Sequence, residues 1–162
     1  MDTIPNIFIN ATLEDKITLS PRALCKNKTK TFQNLLATKF EGVCSYHGYI
    51  KSGSITVVKY TAGMIKDVCL NGDVEYHVTY EAQVCNPAIG SILEATVLDQ
   101  NAFGIIAEVK LQSIPILEVV IIKKDMEEDI QVERGQVIHI EIIKKKFELR
   151  DRLILNVGKL VK

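Results

Sequence analysis

The sequence lacks the short motifs that identify common catalytic and metal-binding sites. Its four cysteines, Cys25, Cys44, Cys69 and Cys85, form no C-x-x-C pair, which argues against a zinc ribbon or a thioredoxin-like site. The three histidines stand apart from other ligand-type residues, and no G-x-S-x-G, P-loop or G-x-G-x-x-G motif occurs. We therefore expect neither an active site nor a cofactor in this chain.

The sequence also has no excess of charge of either sign. Its 20 Lys and Arg residues balance 20 Asp and Glu residues. This balance argues against a strongly basic nucleic-acid-binding protein, although a local basic patch is compatible with it. The length of 162 residues is enough for one ordinary domain or two small ones. Because 47% of the residues are hydrophobic, extensive disorder is not expected.

Long hydrophobic runs are missing as well. The longest, Ile114–Ile122, includes Pro115 and Glu118 and is far shorter than the ~20 residues that span a bilayer. The first residues, MDTIPNIFINATLEDK, contain neither the basic nor the apolar segment of a secretory signal. We predict an intracellular protein of the nucleus or cytoplasm that makes no membrane contact and keeps its cysteines as small buried hydrophobes.

One segment of the first half has the pattern of an α-helix. Ser20 is a favourable N-cap, Pro21 suits the first helical position, and Gly42 is placed to end the helix. Apolar residues at helical spacing predict one face of this helix that packs on a sheet. They are Leu24, Phe32, Leu35, Leu36 and Phe40.

The rest of the first half is rich in β-branched and aromatic residues with turn signals between them. The predicted strands are Ile7–Ile9, Ile17–Leu19, Val43–Ile50, Ile55–Tyr60 and Val74–Val84. Together with the helix they predict an α+β domain over residues 1–86, with the helix on one face of an antiparallel sheet.

Asn86-Pro87 divides the chain. Pro87 lacks the N–H that would extend a strand ladder, and Gly90 can turn the chain into a new strand. The helix signal ends here, and five short strands are predicted. They are Ile92–Leu98, Gly104–Val109, Leu117–Ile122, Val137–Ile143 and Leu153–Val157. Five strands within roughly 75 residues are the size of an OB-fold, so residues 87–162 are predicted to form a small closed barrel.

A basic cluster lies on the last two predicted strands and the turn between them. Because side chains alternate along a strand, Lys144 and Lys146 share a side while Lys145 points away. Arg150 and Arg152 follow in the turn. The cluster fits a solvated charged hairpin, and it also fits the phosphate-binding rim of a single-stranded RNA site.

Several stretches, in this order, carry a family resemblance. They are Leu19-Ser20-Pro21, Phe40-Glu41-Gly42-Val43-Cys44, Gly48-Tyr49-Ile50, Thr61-Ala62-Gly63-Met64-Ile65, Asn71-Gly72-Asp73, YHVTYEAQV at 76–84, Pro87, Gly90, FGIIAEV at 103–109 and Ser113-Ile114-Pro115. Over about residues 6–160, the sequence resembles the stalk subunit of multisubunit DNA-directed RNA polymerases, the family of the seventh subunit of eukaryotic polymerase II and of its archaeal counterpart.

The resemblance implies a non-catalytic subunit with a truncated ribonucleoprotein-like tip domain and an S1-like OB barrel. In the family, tip loops wedge against the polymerase core near the base of the clamp. The barrel lies near the RNA exit path, and a smaller stalk subunit packs alongside. By this resemblance, the segment that docks on the core consists of Thr61, Ala62, Gly63, Met64 and Ile65. Gly63 would provide backbone freedom, and the apolar side chains of Met64 and Ile65 would act as anchors.

The barrel departs from the family in its aromatic residues. Where the family often has an exposed aromatic after Gly104, this chain has Ile105 and Ile106, and the only aromatics after Pro87 are Phe103 and Phe147. Since each lost stacking contact removes about 1–3 kcal/mol, RNA binding by the barrel is expected to be weak, electrostatic or absent. The divergence favours a viral polymerase, in which case the virion is a further location, over an archaeal or eukaryotic one.

Two other functions stay open at this point. A free-standing S1/OB accessory protein would bind single-stranded RNA in a salt-dependent way through Lys144, Lys146, Arg150 and Arg152. A structural scaffold would bind no RNA and would form a stable complex with one protein. The polymerase hypothesis instead predicts co-purification with the large polymerase subunits.

Overall fold

A computed structural model describes residues 7–24, 27–66, 68, 70–126 and 130–161. Contacts divide the chain into two compact units. We call residues 8–42 and 50–84 the tip unit, and Ile7, residues 43–49 and residues 85–161 the barrel unit. These units differ from the predicted division at Pro87, because residues 43–49, together with Ile7 and residues 85–86, are grouped with the barrel.

The helix α1 spans Lys28–Phe40. The predicted start at Pro21 is wrong, since Pro21–Ala23 forms only a short 3-10 turn and the Ser20 side chain makes no capping hydrogen bond. Asn27 caps α1 instead, its side chain accepting a hydrogen bond of 3.1 Å from a backbone N–H of the first turn. Gly42, at φ +71°, follows the helix end as predicted.

The buried face of α1 is narrower than predicted. Phe32, Leu36 and Phe40 are buried, whereas Leu35 is 42% exposed and Leu24, which precedes the helix, is 38% exposed. Three residues at positions i, i+4 and i+8 suffice to attach a helix of this length to a sheet. No helix within the described residues is long and apolar enough to cross a bilayer.

Strands make up most of the remaining described residues. They are β1 (Phe8–Leu19), β2 (Cys44–Ser45), β3 (Gly48–Ile50), β4 (Thr56–Tyr60), β5 (Met64–Ile65), β6 (Val74–Cys85), β7 (Ile92–Asn101), β8 (Gly104–Leu111), β9 (Ile114–Ile122), β10 (Val137–Lys146) and β11 (Ile154–Leu160). In the tip unit β6 is the central strand, next to β1 and paired antiparallel with β4 and β5.

The helix and the sheet of the tip unit share one core. Phe32 lies edge-on to two tyrosines, with ring centroids 5.0 Å from Tyr60 and 5.1 Å from Tyr76. The Gln33 side chain donates to the carbonyl of Ile55 and accepts from the N–H of Val57, which ties α1 to the start of β4. The predicted packing of a helix on a sheet is therefore present in these contacts.

The barrel unit contains a closed five-stranded barrel in the order β10-β11-β9-β8-β7, with β10 also paired to β7. The pair β9–β11 is parallel, and the other four are antiparallel. All five strands predicted for this half are confirmed, with ends shifted by up to three residues. Closure leaves the barrel without open sheet edges, as in OB-like folds.

The β8–β9 turn is strained. Its two central residues, Gln112 (φ +49°) and Ser113 (φ +72°), adopt the positive φ values of a type I′ hairpin, although neither is Gly, Asn or Asp. We expect the double substitution Gln112→Asn and Ser113→Gly to raise the free energy of unfolding by about 1 kcal/mol, because these residues tolerate this backbone better. Urea denaturation followed by circular dichroism would measure the change.

Ser20→Gly provides the control for this turn. Ser20 has φ −69° and makes no capping hydrogen bond, so glycine there relieves no strain. A gain at Ser20 equal to that at the turn would show that the strain argument is wrong.

Candidate docking and nucleic-acid surfaces

The predicted docking residues lie on a hairpin at one end of the tip unit. Met64 and Ile65 form β5 and pair with Glu75 and Val74 at the start of β6. A further bond from the N–H of Lys66 to the carbonyl of Asp73, 2.9 Å long, continues the ladder toward the turn. The hairpin therefore fixes the backbone of both predicted anchors.

Thr61 and Gly63 hold the segment that leads into β5. The N–H of Thr61 donates to the carbonyl of His77 at 3.0 Å, and its hydroxyl accepts from the N–H of the same residue at 3.1 Å. A Cβ on Gly63 would overlap the side chains of Val74 and Tyr76, and Gly63 does not have a positive φ. The glycine is required for close packing, which corrects the predicted reason of backbone freedom, while Ala62 is exposed beside it.

Four apolar side chains of this hairpin are in solvent. Met64 is 71% exposed and Ile65 69%, and in the loop that joins β5 to β6 Val68 is 93% and Leu70 94% exposed. We call these four residues the tip surface. The sequence prediction missed Val68 and Leu70, although apolar residues directly before the turn signal Asn71-Gly72-Asp73 are a detectable sign. Exposed apolar groups gathered on one hairpin are typical of an interaction site.

Charged pairs lie beside the tip surface. The ammonium group of Lys66 lies 3.1 Å from the carboxylate of Glu75, and that of Lys16 lies 3.8 Å from it. The hydrogen bond from Lys66, assisted by both positive charges, lowers the pKa of Glu75 below its ordinary value. On the same unit, Nδ1 of His77 lies 3.3 Å from a carboxylate oxygen of Glu14. The apolar residues thus have a polar rim, as protein interfaces commonly do.

The predicted basic residues lie at one end of the barrel. Lys144 and Lys146 are neighbours on one side of β10, paired with Val157 and Leu155, and both are exposed. Arg150 and Arg152 are exposed in the turn between β10 and β11. The described residues provide no ion-pair partner for these four cations. We call this turn, residues 147–153, together with Lys144 and Lys146, the basic turn.

Lys145 points away from the other lysines, as strand alternation predicts. Its ammonium group donates to Oδ1 of Asn86 at 2.6 Å and to the carbonyl of Pro87 at 3.0 Å. Within the turn, the N–H of Glu148 donates to the Asp151 carboxylate at 2.7 Å. These acidic residues fix the turn and offset part of its positive charge.

Phe103, in the turn between β7 and β8, is the exposed aromatic of the described part of the barrel sequence after Pro87, with 83% of its surface in solvent. Its backbone is fixed, because the N–H donates to Oδ1 of Asn101 at 2.9 Å and the carbonyl accepts from the N–H of Lys123 at 2.9 Å. Ile105 is fully buried. The aromatic therefore precedes Gly104, where the family pattern places it after this glycine.

The structure does not bring Phe103 to the basic turn. β8 begins beside Ile122 at one end of β9, whereas β11 begins beside Leu117 nearer the other end. The five residue steps from Leu117 to Ile122 span about 17 Å of strand. Phe147 is half-buried. Within the barrel strands, the four cations thus lie far from an exposed ring.

Cys44 and Cys85 are buried free thiols. Burial raises the pKa of Cys44 to about 11 and that of Cys85 to about 12, so both stay neutral at physiological pH. Among the described residues, no three His, Cys, Asp or Glu side chains lie close enough together to hold a metal ion. Cys25 and Cys69 lie outside the described residues.

Comparison with known proteins adds named relatives. No protein-family model matches the sequence. A provisionally named DNA-directed RNA polymerase subunit of Acanthamoeba polyphaga mimivirus is 22% identical over 168 residues, covering 96% of this chain and 83% of that protein. Subunit 7 of DNA-directed RNA polymerase II is 34% identical over 105 residues in Arabidopsis thaliana and 33% over 104 residues in Glycine max.

These matches differ in extent. Each plant match covers 63% of this chain and spans 57% of the plant protein, little more than half its length. The viral match is weaker in identity but runs along almost the whole chain. The chain is thus similar to DNA-directed RNA polymerase subunits of plant and viral origin, and the resemblance to the seventh-subunit stalk family is confirmed.

Proposed function

We propose that this protein is a non-catalytic stalk subunit that docks on the core of a DNA-directed RNA polymerase through the tip surface. The observation that carries the proposal is the group of four apolar side chains, 69–94% exposed, on one hairpin. In this assignment the tip unit is the truncated ribonucleoprotein-like domain, bound near the base of the clamp, and the barrel unit is the S1-like OB domain near the RNA exit path.

The exposure of the tip surface supports a partner that covers it. Complete burial of an aliphatic side chain such as Met, Leu, Ile or Val is worth about 1.5–3 kcal/mol. Four such residues on one hairpin can therefore contribute the apolar centre of a stable interface, with the ion pairs of Glu75 at its rim.

The rigid support of the hairpin also favours docking. Thr61 is bonded to β6 through both its backbone and its hydroxyl, and Gly63 packs directly on Tyr76. Tyr76 in turn contacts Phe32 of α1. The part of the tip surface on β5 is held by the core in this way, so Met64 and Ile65 lose little conformational entropy of the backbone on binding.

The proposed partners are the core subunits of the polymerase, a small second stalk subunit and nascent single-stranded RNA. The proposed locations are the nucleus, the cytoplasm or a viral factory, with the virion as a further location for a viral enzyme. The mimivirus relative supports the viral setting.

We expect the double substitution Met64→Asp and Ile65→Asp to abolish assembly with the polymerase core. Two carboxylates would have to be buried without partners, which costs far more than the loss of two apolar contacts. Expression of tagged variants in the native host, followed by affinity purification and quantitative mass spectrometry of the large polymerase subunits, measures the effect.

Ile9→Asp is the matched control. Ile9 is 62% exposed and belongs to the same unit, but it lies on β1, away from the hairpin. It should leave recovery of the large subunits unchanged. Normal assembly of the Met64 and Ile65 variant, or equal loss in the Ile9 variant, would refute docking through the tip surface.

The second candidate function is a free-standing accessory protein that binds single-stranded RNA. It is favoured by the four exposed cations of the basic turn. The same purification separates the two candidates, because a free-standing protein would be recovered with RNA and without stoichiometric polymerase subunits.

A further inference from the structure

The loop between β5 and β6 exposes an Asn-Gly pair to solvent. Asn71 and Gly72 are both exposed, and Asn71 is the only asparagine of the sequence that precedes a glycine. The backbone nitrogen that follows an asparagine can attack the side-chain amide, and a glycine at that position hinders the attack least because it has no Cβ. The pair is therefore accessible to water and unhindered.

A turn holds the Asn71 side chain against the backbone that follows it. Its Oδ1 accepts a hydrogen bond of 3.1 Å from the N–H of Asp73, which closes an Asx turn around the Gly72 nitrogen. The N–H of Gly72 has no acceptor among the described residues. The attacking nitrogen is therefore not engaged elsewhere, and it lies in the same short ring as the carbon that it attacks.

Asp73 supports both changes of charge in such an attack. Its backbone N–H is bonded to Oδ1 of Asn71, the atom on which negative charge develops when the amide carbon is attacked. Its carboxylate accepts a hydrogen bond of 2.8 Å from Nδ2, the leaving group, and stabilises the positive charge of the ammonium ion that departs. One residue thus contacts both polar atoms of the reacting amide.

We infer that Asn71 deamidates spontaneously and thereby adds a negative charge beside the tip surface. The Gly72 nitrogen loses its proton and bonds to Cγ of Asn71, the Cγ–Nδ2 bond breaks, and ammonia leaves and takes up that proton. Water then opens the cyclic succinimide at either carbonyl, which yields aspartate or isoaspartate. The net reaction converts an amide and water into a carboxylate and an ammonium ion, with no change of oxidation state.

The new carboxylate bears on docking. It follows Leu70, a member of the tip surface that is 94% exposed, and it precedes the carboxylate of Asp73 by two positions. A partner that covers Leu70 would have to accommodate this charge, and burial of an unpaired carboxylate is unfavourable. Deamidation should therefore weaken docking as the protein ages. This consequence rests on the proposed function, whereas the reaction itself does not.

The test is incubation of the full chain at neutral pH and physiological temperature, followed by peptide mass spectrometry and enzymatic methylation of isoaspartate. Asn101 is the internal control, because it is also exposed and accepts a hydrogen bond from the N–H of Phe103, but Ala102 follows it. Asn71 should lose its amide about tenfold faster than Asn101, which corresponds to about 1.4 kcal/mol in activation free energy.

Variants of the loop test each part of the mechanism. Gly72→Ala should slow the loss about tenfold, because the added methyl group hinders the nitrogen. Asp73→Ala keeps the backbone N–H but removes the carboxylate, and it should slow the loss by a smaller factor. Asn71→Gln should keep its amide. Equal rates at Asn71 and Asn101, a product without isoaspartate, or unchanged rates in both Gly72→Ala and Asp73→Ala would overturn the inference.

Asn71→Asp reproduces the charge of the product and tests its effect on assembly. It should reduce recovery of the large polymerase subunits in the affinity purification described above, whereas Asn71→Gln should leave recovery unchanged. Equal recovery with both variants would overturn the effect on docking. Normal assembly of the Met64→Asp and Ile65→Asp variant would refute docking through the tip surface and leave the reaction, measured on the isolated chain, unaffected.

Discussion

Gly104→Ala should destabilise the barrel unit by about 3–5 kcal/mol. Gly104 has φ +153°, and a Cβ at this position would overlap the carbonyl oxygen of Ile121 and approach the backbone of Ile122. The obstacle is the backbone of the neighbouring strand, which cannot move without breaking the β8–β9 ladder. Since small proteins are stable by only about 5–15 kcal/mol, the loss would remove a large part of the stability of the barrel unit.

Gly135→Ala separates backbone strain from steric overlap. Gly135 also has a positive φ, +86°, but nothing lies within 4 Å of an added Cβ. It should therefore lose only about 1–2 kcal/mol. Guanidinium denaturation followed by far-ultraviolet circular dichroism measures both variants, and equal losses would contradict the predicted overlap at Ile121.

Phe32→Ala should lower the free energy of unfolding of the tip unit by about 3–5 kcal/mol. Phe32 is completely buried and contacts the rings of Tyr60 and Tyr76. Removing its ring leaves a cavity between helix and sheet that these two side chains cannot fill without moving. Because Gly63 packs on Tyr76, the loss should extend to the support of the tip surface.

Leu35→Ala is the control on the same helix. Leu35 is 42% exposed, so its truncation should cost less than about 1 kcal/mol. Three of the five tyrosines, Tyr60, Tyr76 and Tyr80, belong to the tip unit, so tyrosine fluorescence during denaturation reports more on this unit than on the barrel unit. A loss at Leu35 as large as that at Phe32 would show that the helix packs through a different face.

The barrel strands could be predicted because their signals are local. Alternating apolar residues identify each strand, and Pro87, Gly90, Gly104 and Gly135 mark the interruptions. The closure of the barrel has no such local signal, since the parallel pairing of β9 with β11 joins residues far apart in sequence. The β9–β11 pairing that closes the barrel is determined by tertiary packing.

The start of α1 shows how two local signals compete. Ser20-Pro21 is a favourable beginning for a helix by composition, yet Asn27 is the residue whose side chain satisfies a free N–H. The helical spacing of Leu24 and Leu35 predicts a wider apolar face than the sheet covers. The residue types alone could not show whether Ser20 or Asn27 is the N-cap of α1.

The candidate surfaces were predictable to different degrees. Met64 and Ile65 were accessible to sequence reasoning through the family resemblance, and their exposure agrees with a docking role that assembly experiments must test. The position of the β2–β3 hairpin beside the basic turn was not accessible, because it depends on bonds from Cys44 to Arg150 and Asp151, more than a hundred residues away. Long-range hydrogen bonds leave no periodic trace in a sequence.

The assignment of residues 43–49 to the barrel unit has a consequence for biosynthesis. This hairpin leaves the ribosome long before β10 and the basic turn to which it is bonded. The bonding partners of Cys44, Arg150 and Asp151, are translated only just before the last strand, Ile154–Leu160, and the barrel cannot close until that strand has been translated. The barrel unit can therefore complete its folding only after β11 has been translated. A truncated gene that begins at the Pro87 codon would encode the barrel strands without residues 43–49, which belong to the same unit.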